Sequence, residues 1–330
     1  VEHEFEDGEL IFLLEALRAS GAGVVLVAPS APTQYRGKHG HIVTSDVAAG
    51  RGAHASTFDA VVIPGGYAPD RMRMRHAMVD LVREAAEAAG GADGILVVIT
   101  TASNEPEDRM VVYRKAFEDL GVGTIHIINP DKRVDGSDPR YLEMIASATG
   151  VMFTGGDQLR ITSLLGGTPL IAMIQMRYRE EGLLVAGTSA GASALSRVMI
   201  YEGDGETGLE KNSVHTTSGI GLLQHVVVDT HFIRRGRIAR QMQVLATNPH
   251  LQSIGLGEDT AVRVTDGHVL EVIGSGIVIV IDAQHASGSN IAKISTGDAI
   301  AIHNLTIHAL IHGERYDITS RSFLPSASEE

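Results

Sequence analysis

The five residues Gly187-Thr188-Ser189-Ala190-Gly191 set a serine between two glycines, directly after the apolar run Leu183-Leu184-Val185-Ala186 and before more small residues. A serine in a G-x-S-x-G turn between a strand and a helix is a nucleophile elbow. Its hydroxyl is presented at the turn, and small neighbours let a substrate carbonyl approach. The backbone N–H groups at the start of the following helix can hold a developing oxyanion. The pentapeptide alone also fits an ordinary glycine-rich strand-to-helix turn, so its context must decide.

A serine nucleophile requires a base, an acid that orients the base, and oxyanion donors. The chain has 15 histidines, so the presence of one carries little weight. His231 stands out because it ends the apolar run Val226-Val227-Val228-Asp229-Thr230, where a side chain can be aimed at a neighbouring strand end. A buried histidine satisfied by backbone is an equally good account of that position. For the acid, the loop Tyr201-Glu202-Gly203-Asp204-Gly205-Glu206 offers Glu202, Asp204 and Glu206. Spacing does not choose among them, and such a loop also reads as solvated surface. Donors to an oxyanion are sought at Ala190 and at the double glycine Gly155-Gly156, where backbone can approach closely. Arg234, Arg235, Arg237 and Arg240 follow His231 within one short segment. On a surface they would be unremarkable; beside a catalytic histidine, their fork geometry suits substrate carboxylates. The histidines are scattered without H-E-x-x-H or comparable spacing, so no metal site is expected, and serine chemistry needs no cofactor.

These groups must be positioned by elements, and the chain supplies a regular series. Helical spacing from Glu9 to a stop at Gly21 precedes buried-strand runs at 23–29 and 58–66, with a short strand at 41–46 between them and a helix at 76–88 after. Strands are then predicted at 95–103, 124–130 and 151–157, and helices at 107–120, 141–148, 158–165 and 169–180. Alternating strands and helices imply parallel β-α-β units in a doubly wound α/β sheet, whose site lies at the carboxyl ends of its strands. The double glycines at 65–66 and 155–156 and the Ser189 elbow all fall at such ends. Beyond His225 come a strand at 226–232, a basic helix at 234–246 and several short, antiparallel-looking strands, a β-rich C-terminal extension.

Composition bounds the function. The 330 residues are 44% hydrophobic and 20% charged, enough to bury a sizeable core. A formal charge of −13 argues against nucleic acid. The absence of cysteine removes disulfides and thiolate nucleophiles. No run approaches 18 apolar residues and no signal peptide is evident, so no membrane partner and a cytoplasmic location are expected. The start at Val1-Glu2-His3 reads as the end of a strand.

From about residue 90 to 325 the chain resembles the cyanophycinases, serine peptidases of family S51. The matching stretches are ITTASNEPED, YRKAFEDLGV, FTGGDQLRITSLLGGTPL, AGTSAGAS, VVVDTHFIRRGRIAR, IGLGEDTA, EVIGSG and HNLTIHALIHGERYDITSRSF. The resemblance implies hydrolysis of cyanophycin, a poly-aspartate with arginine joined to each side-chain carboxyl, to β-Asp-Arg dipeptides. It implies Ser189 as nucleophile, His231 as base and Glu206 as acid. Asp157, Gln158, Asp229, Thr230, Arg235, Arg237 and Arg240 fall at substrate-binding positions. The arginines would meet substrate carboxylates, and Asp157 or Asp229 the guanidinium groups. Thr230 departs from the family's glutamine. Short aspartyl-arginine peptides are a second candidate substrate, the alternative activity is that of a related S51 dipeptidase acting on short N-terminal aspartyl peptides, and the resemblance suggests a homodimer.

Residues 1–88 instead resemble the PfpI-type, glutamine amidotransferase-like family, through FEDGELIFLLEALRASGAGVVLVAP, GKHGHIVTSD and VVIPGGYAPDRMR. Thr101 to Ser103 stand where that family's Cys-His-Gly would fall, so this part is expected to be a half-domain without a nucleophile. The S51 family's Gly-Gly-Ala-Glu-Asp-like first loop is absent. Together the two resemblances imply a chimera, by fusion, recombination or design, with a flavodoxin-like sheet continuing from 1–88 into a peptidase domain at 89–330. A catalytically incomplete hybrid is the competing reading.

Overall fold

The computed structural model describes parts of residues 10–48 and residues 90–325 continuously. The chain divides into two compact units, Val1–Met78 and Val79–Glu330. The strand expected at 58–66 and the helix at 76–88 lie outside the described residues.

In the first unit, Leu10, Ile11, Leu14, Glu15, Arg18 and Ala19 are helical. Their spacing puts Leu10 and Leu14 on one face, where both are buried with Leu26, Ala28, Tyr35 and Val43. Strand β1 (Val27–Ala28) pairs in parallel with β4 (Val47–Ala48), and β2 (Gln34–Arg36) forms a hairpin with β3 (Ile42–Thr44).

The second unit opens on a parallel four-stranded sheet. Its strands are β5 (Ile95–Ile99), β6 (Thr124–Ile128), β7 (Gly150–Phe153) and β8 (Leu184–Gly187), in the order β6-β5-β7-β8. Helices α1 (Pro106–Asp119), α2 (Pro139–Ser147), α3 (Gln158–Leu165) and α4 (Pro169–Glu180) alternate with them. Three start on a proline, whose fixed φ and missing N–H suit the first helical turn. The fourth, α3, is capped by Asp157, whose Oδ1 accepts the Leu159 N–H at 2.8 Å. Val97, Ile99, Val151 and Phe153 from the strands pack on Ile145, Ile161, Leu165, Leu170 and Ile174 from the helices. Each such side chain contributes roughly 1.5–3 kcal/mol by leaving water.

After β8 come the short helix α5 (Ala190–Ala194) and the hairpin of β9 (Val198–Glu202) with β10 (His215–Ser218). Strand β11 (Val226–Asp229), helix α6 (Ile238–Thr247) and strand β12 (Gln252–Leu256) form a further β-α-β unit, with β11 and β12 parallel. The expected 234–246 helix thus begins later. Only Arg240 of the arginine series is helical; residues 232–237 form a turn.

The rest is mostly antiparallel: β13 (Thr260–Thr265), β14 (Val269–Gly274), β15 (Val278–Asp282), β16 (Gly288–Ser289), β17 (Ile302–His303), β18 (Thr306–Leu310), β19 (Arg315–Asp317) and β20 (Ser322–Leu324). Strands β16 and β17 pair with each other, and the others complete sheets ordered β11-β12-β15-β18 and β13-β14-β19-β20. Val226, Val228, Ile254, Val280 and Leu310 of one pack against Leu270, Val272 and Tyr316 of the other. Alternate residues Val227, Ile279 and Ile281 face Val244 and Leu245 of α6. A strand covered on both faces reads as a continuous apolar run, as β11 and β15 do. Among the described residues no single helix is long and apolar enough to cross a membrane.

Candidate active site

Ser189 lies between β8 and α5 at φ 50 and ψ −115, a backbone conformation that a residue with a side chain rarely adopts. Its surroundings hold it there. A Cβ on Gly191 would lie 2.7 Å from the Phe153 carbonyl carbon, and one on Gly187 would lie 2.5 Å from the carbonyl carbon of Gly191. Those two glycines let β8, the turn and α5 pack against the end of β7. Such strain persists only where the surroundings over-determine it, and it concentrates at functional sites.

The Ser189 Oγ lies 3.1 Å from His231 Nε2. His231 follows β11 and also has positive φ, 53°, which turns its ring towards Ser189. The turn is closed by the Arg235 N–H donating to the His231 carbonyl at 3.0 Å. Behind it, the Phe232 N–H donates to the Leu256 carbonyl at 3.0 Å, and the bare Gly255 leaves space for the Phe232 ring.

On the far side of the imidazole, Nδ1 meets Glu258 Oε1 at 2.9 Å and Oε2 at 3.1 Å. The carboxylate behind the histidine is therefore Glu258, which corrects the expectation for Glu206. Asp229 pairs with Gly255 in the parallel β11–β12 register, so the chain beyond each strand emerges at the same edge. His231 and Glu258 are the residues just past those ends. Glu206 and Asp204 are exposed in the loop after β9, and Glu202 is exposed at the end of β9. The hydrogen bond to His231 is the main cause holding the Glu258 carboxyl below its ordinary value, aided by the charges of His231, Arg234 and Arg235 and opposed by partial burial. The carboxylate thus stays ionised at neutral pH, able to fix the tautomer and stabilise an imidazolium.

The expected oxyanion donors lie in two loops. Gly155 abuts the nucleophile: a Cβ there would sit 3.3 Å from Ser189 Cβ and 3.9 Å from its Oγ. This glycine meets the site as backbone in contact with Ser189. Gly156 has φ 143, and a Cβ there would collide with the Ala102 carbonyl, so the residue must be glycine. Ala190 follows Ser189 directly and is buried.

The expected substrate residues divide sharply. Asp157 is exposed while capping α3, and the Gln158 Nε2 donates to the Ile200 carbonyl at 2.9 Å. Asp229 is 1% exposed and engages two guanidinium groups of its own chain. Arg240 Nε donates to its Oδ2 at 2.6 Å and Arg240 Nη2 to its Oδ1, while Arg237 Nη1 reaches Oδ1 at 3.0 Å. Arg237 Nη1 also bonds the Thr230 carbonyl at 2.7 Å, and Arg240 Nη1 the Gly203 carbonyl at 2.7 Å. Burial pulls the Arg237 pKa down to about 10, against the attraction of Asp229, so the group remains a cation at neutral pH. The expectation that Asp229, Arg237 and Arg240 all face substrate is thereby corrected for Asp229 and Arg240, which are buried and occupied with each other within the chain. Thr230 is 8% exposed and joins this network through its backbone. Arg235 alone of the three expected arginines is exposed. Among the described residues no group of three or more His, Asp or Glu side chains is arranged to hold a metal ion.

Comparison with known proteins extends the geometry. The model of peptidase family S51 matches residues 70–272, and that of the DJ-1/PfpI family matches residues 1–95. The chain is 36% identical over 229 residues, 69% of its length, to the cyanophycinase of Geminocystis herdmanii, of which that stretch covers 84%. A 71-residue stretch, 22% of the chain, is 41% identical to an uncharacterised protein of Staphylococcus aureus, covering 41% of it. The fold is similar to the crystal structure of a peptidase from an acI-B1 Actinobacterium, at TM-score 0.54 and 22% identity, covering 73% of this chain and 91% of that one.

Proposed function

The chain belongs to peptidase family S51, and from that premise we propose that it hydrolyses cyanophycin to β-Asp-Arg dipeptides through Ser189, His231 and Glu258. The observation that carries this reading is the unbroken line from Ser189 Oγ to His231 Nε2 at 3.1 Å and from His231 Nδ1 to Glu258 at 2.9 Å. The cyanophycinase relatives support the substrate.

In the proposed reaction the Ser189 oxygen attacks the scissile backbone carbonyl while His231 Nε2 takes the hydroxyl proton. Glu258 holds the Nδ1–H and stabilises the imidazolium. The N–H groups of Ala190 and Gly156 bind the oxyanion of the tetrahedral intermediate. Its collapse breaks the C–N bond, with His231 passing the proton to the leaving amine. Water, deprotonated by His231, then attacks the acyl ester, and the returning proton restores Ser189.

Exposed Arg235 beside His231 suits a substrate carboxylate, and the exposed carboxylates of Glu202, Asp204 and Glu206 suit guanidinium groups. The Gly205 backbone packs directly on that of Arg235 and Gly236, so charges of both signs share one rim. Cyanophycin carries both. Incubating purified chain with cyanophycin and quantifying β-Asp-Arg tests the reading. Wild type should release the dipeptide and Ser189→Ala should not; equal release by both would end the assignment.

A further inference from the structure

Glu258 stands at a corner where the chain leaves β12 of one sheet for β13 of the other. The return crossing, from β14 to β15, runs beside it. Hydrogen bonds fix this corner residue by residue. The Gly257 N–H donates to the Ile277 carbonyl at 3.0 Å, and the Ser275 N–H donates to the Asp259 carbonyl at 3.0 Å. The Thr260 hydroxyl donates to the Glu258 carbonyl at 2.8 Å, and the Ser275 hydroxyl donates to Asp259 Oδ2. The crossings lie this close because two facing residues carry no side chain. A Cβ on Gly276 would lie 2.4 Å from the Glu258 carbonyl oxygen and 2.3 Å from Thr260 Oγ1, and one on Gly274 would lie 2.2 Å from the Asp259 carbonyl oxygen.

We propose that Thr260 is a positioning residue: its hydroxyl holds the Glu258 carbonyl and, with the turn Gly274-Ser275-Gly276, fixes the backbone from which the Glu258 carboxylate reaches His231. Asp259, between the two, has φ 55, a left-handed conformation that a residue with a side chain adopts only where its surroundings over-determine it. The hydrogen bonds on either side of Asp259 supply that constraint. The branched Thr260 side chain has few χ1 choices, so its hydroxyl is held towards the carbonyl. Glu258 meets His231 Nδ1 through both oxygens, at 2.9 and 3.1 Å, so a small shift of the corner weakens that contact. Thr260 takes no part in the proton transfers and acts through Glu258.

The inference rests on Glu258 as the acid of the site, and its test reads Ser189 both with and without cyanophycin. In the full-length chain Thr260→Val keeps the branched shape and removes the hydroxyl, while Thr260→Ser keeps the hydroxyl. A misplacement of about 1 Å can cost about 10²-fold, so loosening the corner should lower kcat about tenfold in Thr260→Val. KM should stay within about twofold, because the contribution is confined to the transition state. The rate of Ser189 labelling by a fluorophosphonate should fall by a similar factor, the melting temperature should stay within about 5 °C, and Thr260→Ser should retain rates within about threefold of wild type. Added to Glu258→Gln, Thr260→Val should cost less than about twofold further, because residues that act through one group are not additive. Unchanged rates in Thr260→Val would overturn the proposal, as would equal losses in Thr260→Ser, or a full loss that persists in the Glu258→Gln background. If wild type labels at Ser189 but leaves cyanophycin intact, the substrate assignment alone fails and the labelling ratios still decide the role of Thr260. Glu258→Gln that labels as fast as wild type, or wild type that does neither, overturns both.

Discussion

Ser189 and His231 are the two residues whose roles rest most directly on their own backbones. Both have positive φ, 50° and 53°, and each turn brings its side chain into the 3.1 Å contact. The elbow was legible because glycine spacing and an apolar run are local signals. The partner carboxylate was not, because Glu258 lies 27 residues from His231 and reaches it only through strand pairing. The signal was present nonetheless. Glu258 ends an apolar run just as His231 does, and parallel neighbours bring such ends together. At this scale Ser189→Ala should lower the rate on cyanophycin by at least about 10⁴-fold, since the members of a triad act as a unit. The depressed Glu258 pKa gives a stability prediction with a definite sign. Its contribution is fully present above the ordinary glutamate value of 4.5 and is lost as pH falls through the lower folded value. The melting-temperature advantage of wild type over Glu258→Gln, followed by calorimetry, should therefore be present at about pH 5 and shrink on further acidification.

The elements do their work at strand ends. Helices α3 and α4 have the bounds expected from the sequence, 158–165 and 169–180. The basic segment after His231 misled, because charge periodicity does not reveal that residues 232–237 form a turn and that Arg240 points inward. The inward arginine matters for stability. Asp229 lies under two guanidinium groups, and Asp229→Asn would leave Arg240, 4% exposed, without its charge partner. Breaking one side of a buried pair costs about 3–5 kcal/mol, so thermal melting should occur on the order of 10 °C lower. The same network holds the loop at Gly203, so the exposed carboxylates of residues 202–206 should lose their placement along with it. Gly191→Ala tests the elbow differently. Its Cβ would press on the Phe153 backbone, at a cost of about 1–3 kcal/mol, and fluorophosphonate labelling should fall as Ser189 shifts.

Across the whole molecule, two family resemblances meet in one chain, and every residue of the proposed site belongs to the Val79–Glu330 unit. The α/β class was legible from alternation alone, and the β-rich extension from its short apolar runs. The pairing of two sheets in that extension was not, because register depends on contacts between distant strands. A rim carrying both signs of charge should favour a polymer over a dipeptide, since the polymer engages more of it at once. Rates on cyanophycin should exceed those on Asp-Xaa dipeptides by at least about tenfold in kcat/KM, roughly one further charge-assisted contact in the transition state. The central claim is that Glu258, rather than the exposed Glu206, completes the site. Release of β-Asp-Arg from cyanophycin by the full-length Glu258→Gln and Glu206→Gln variants tests it in one measurement. The account predicts a fall of about 10²–10⁴-fold for Glu258→Gln and less than about threefold for Glu206→Gln. The reverse order would contradict it.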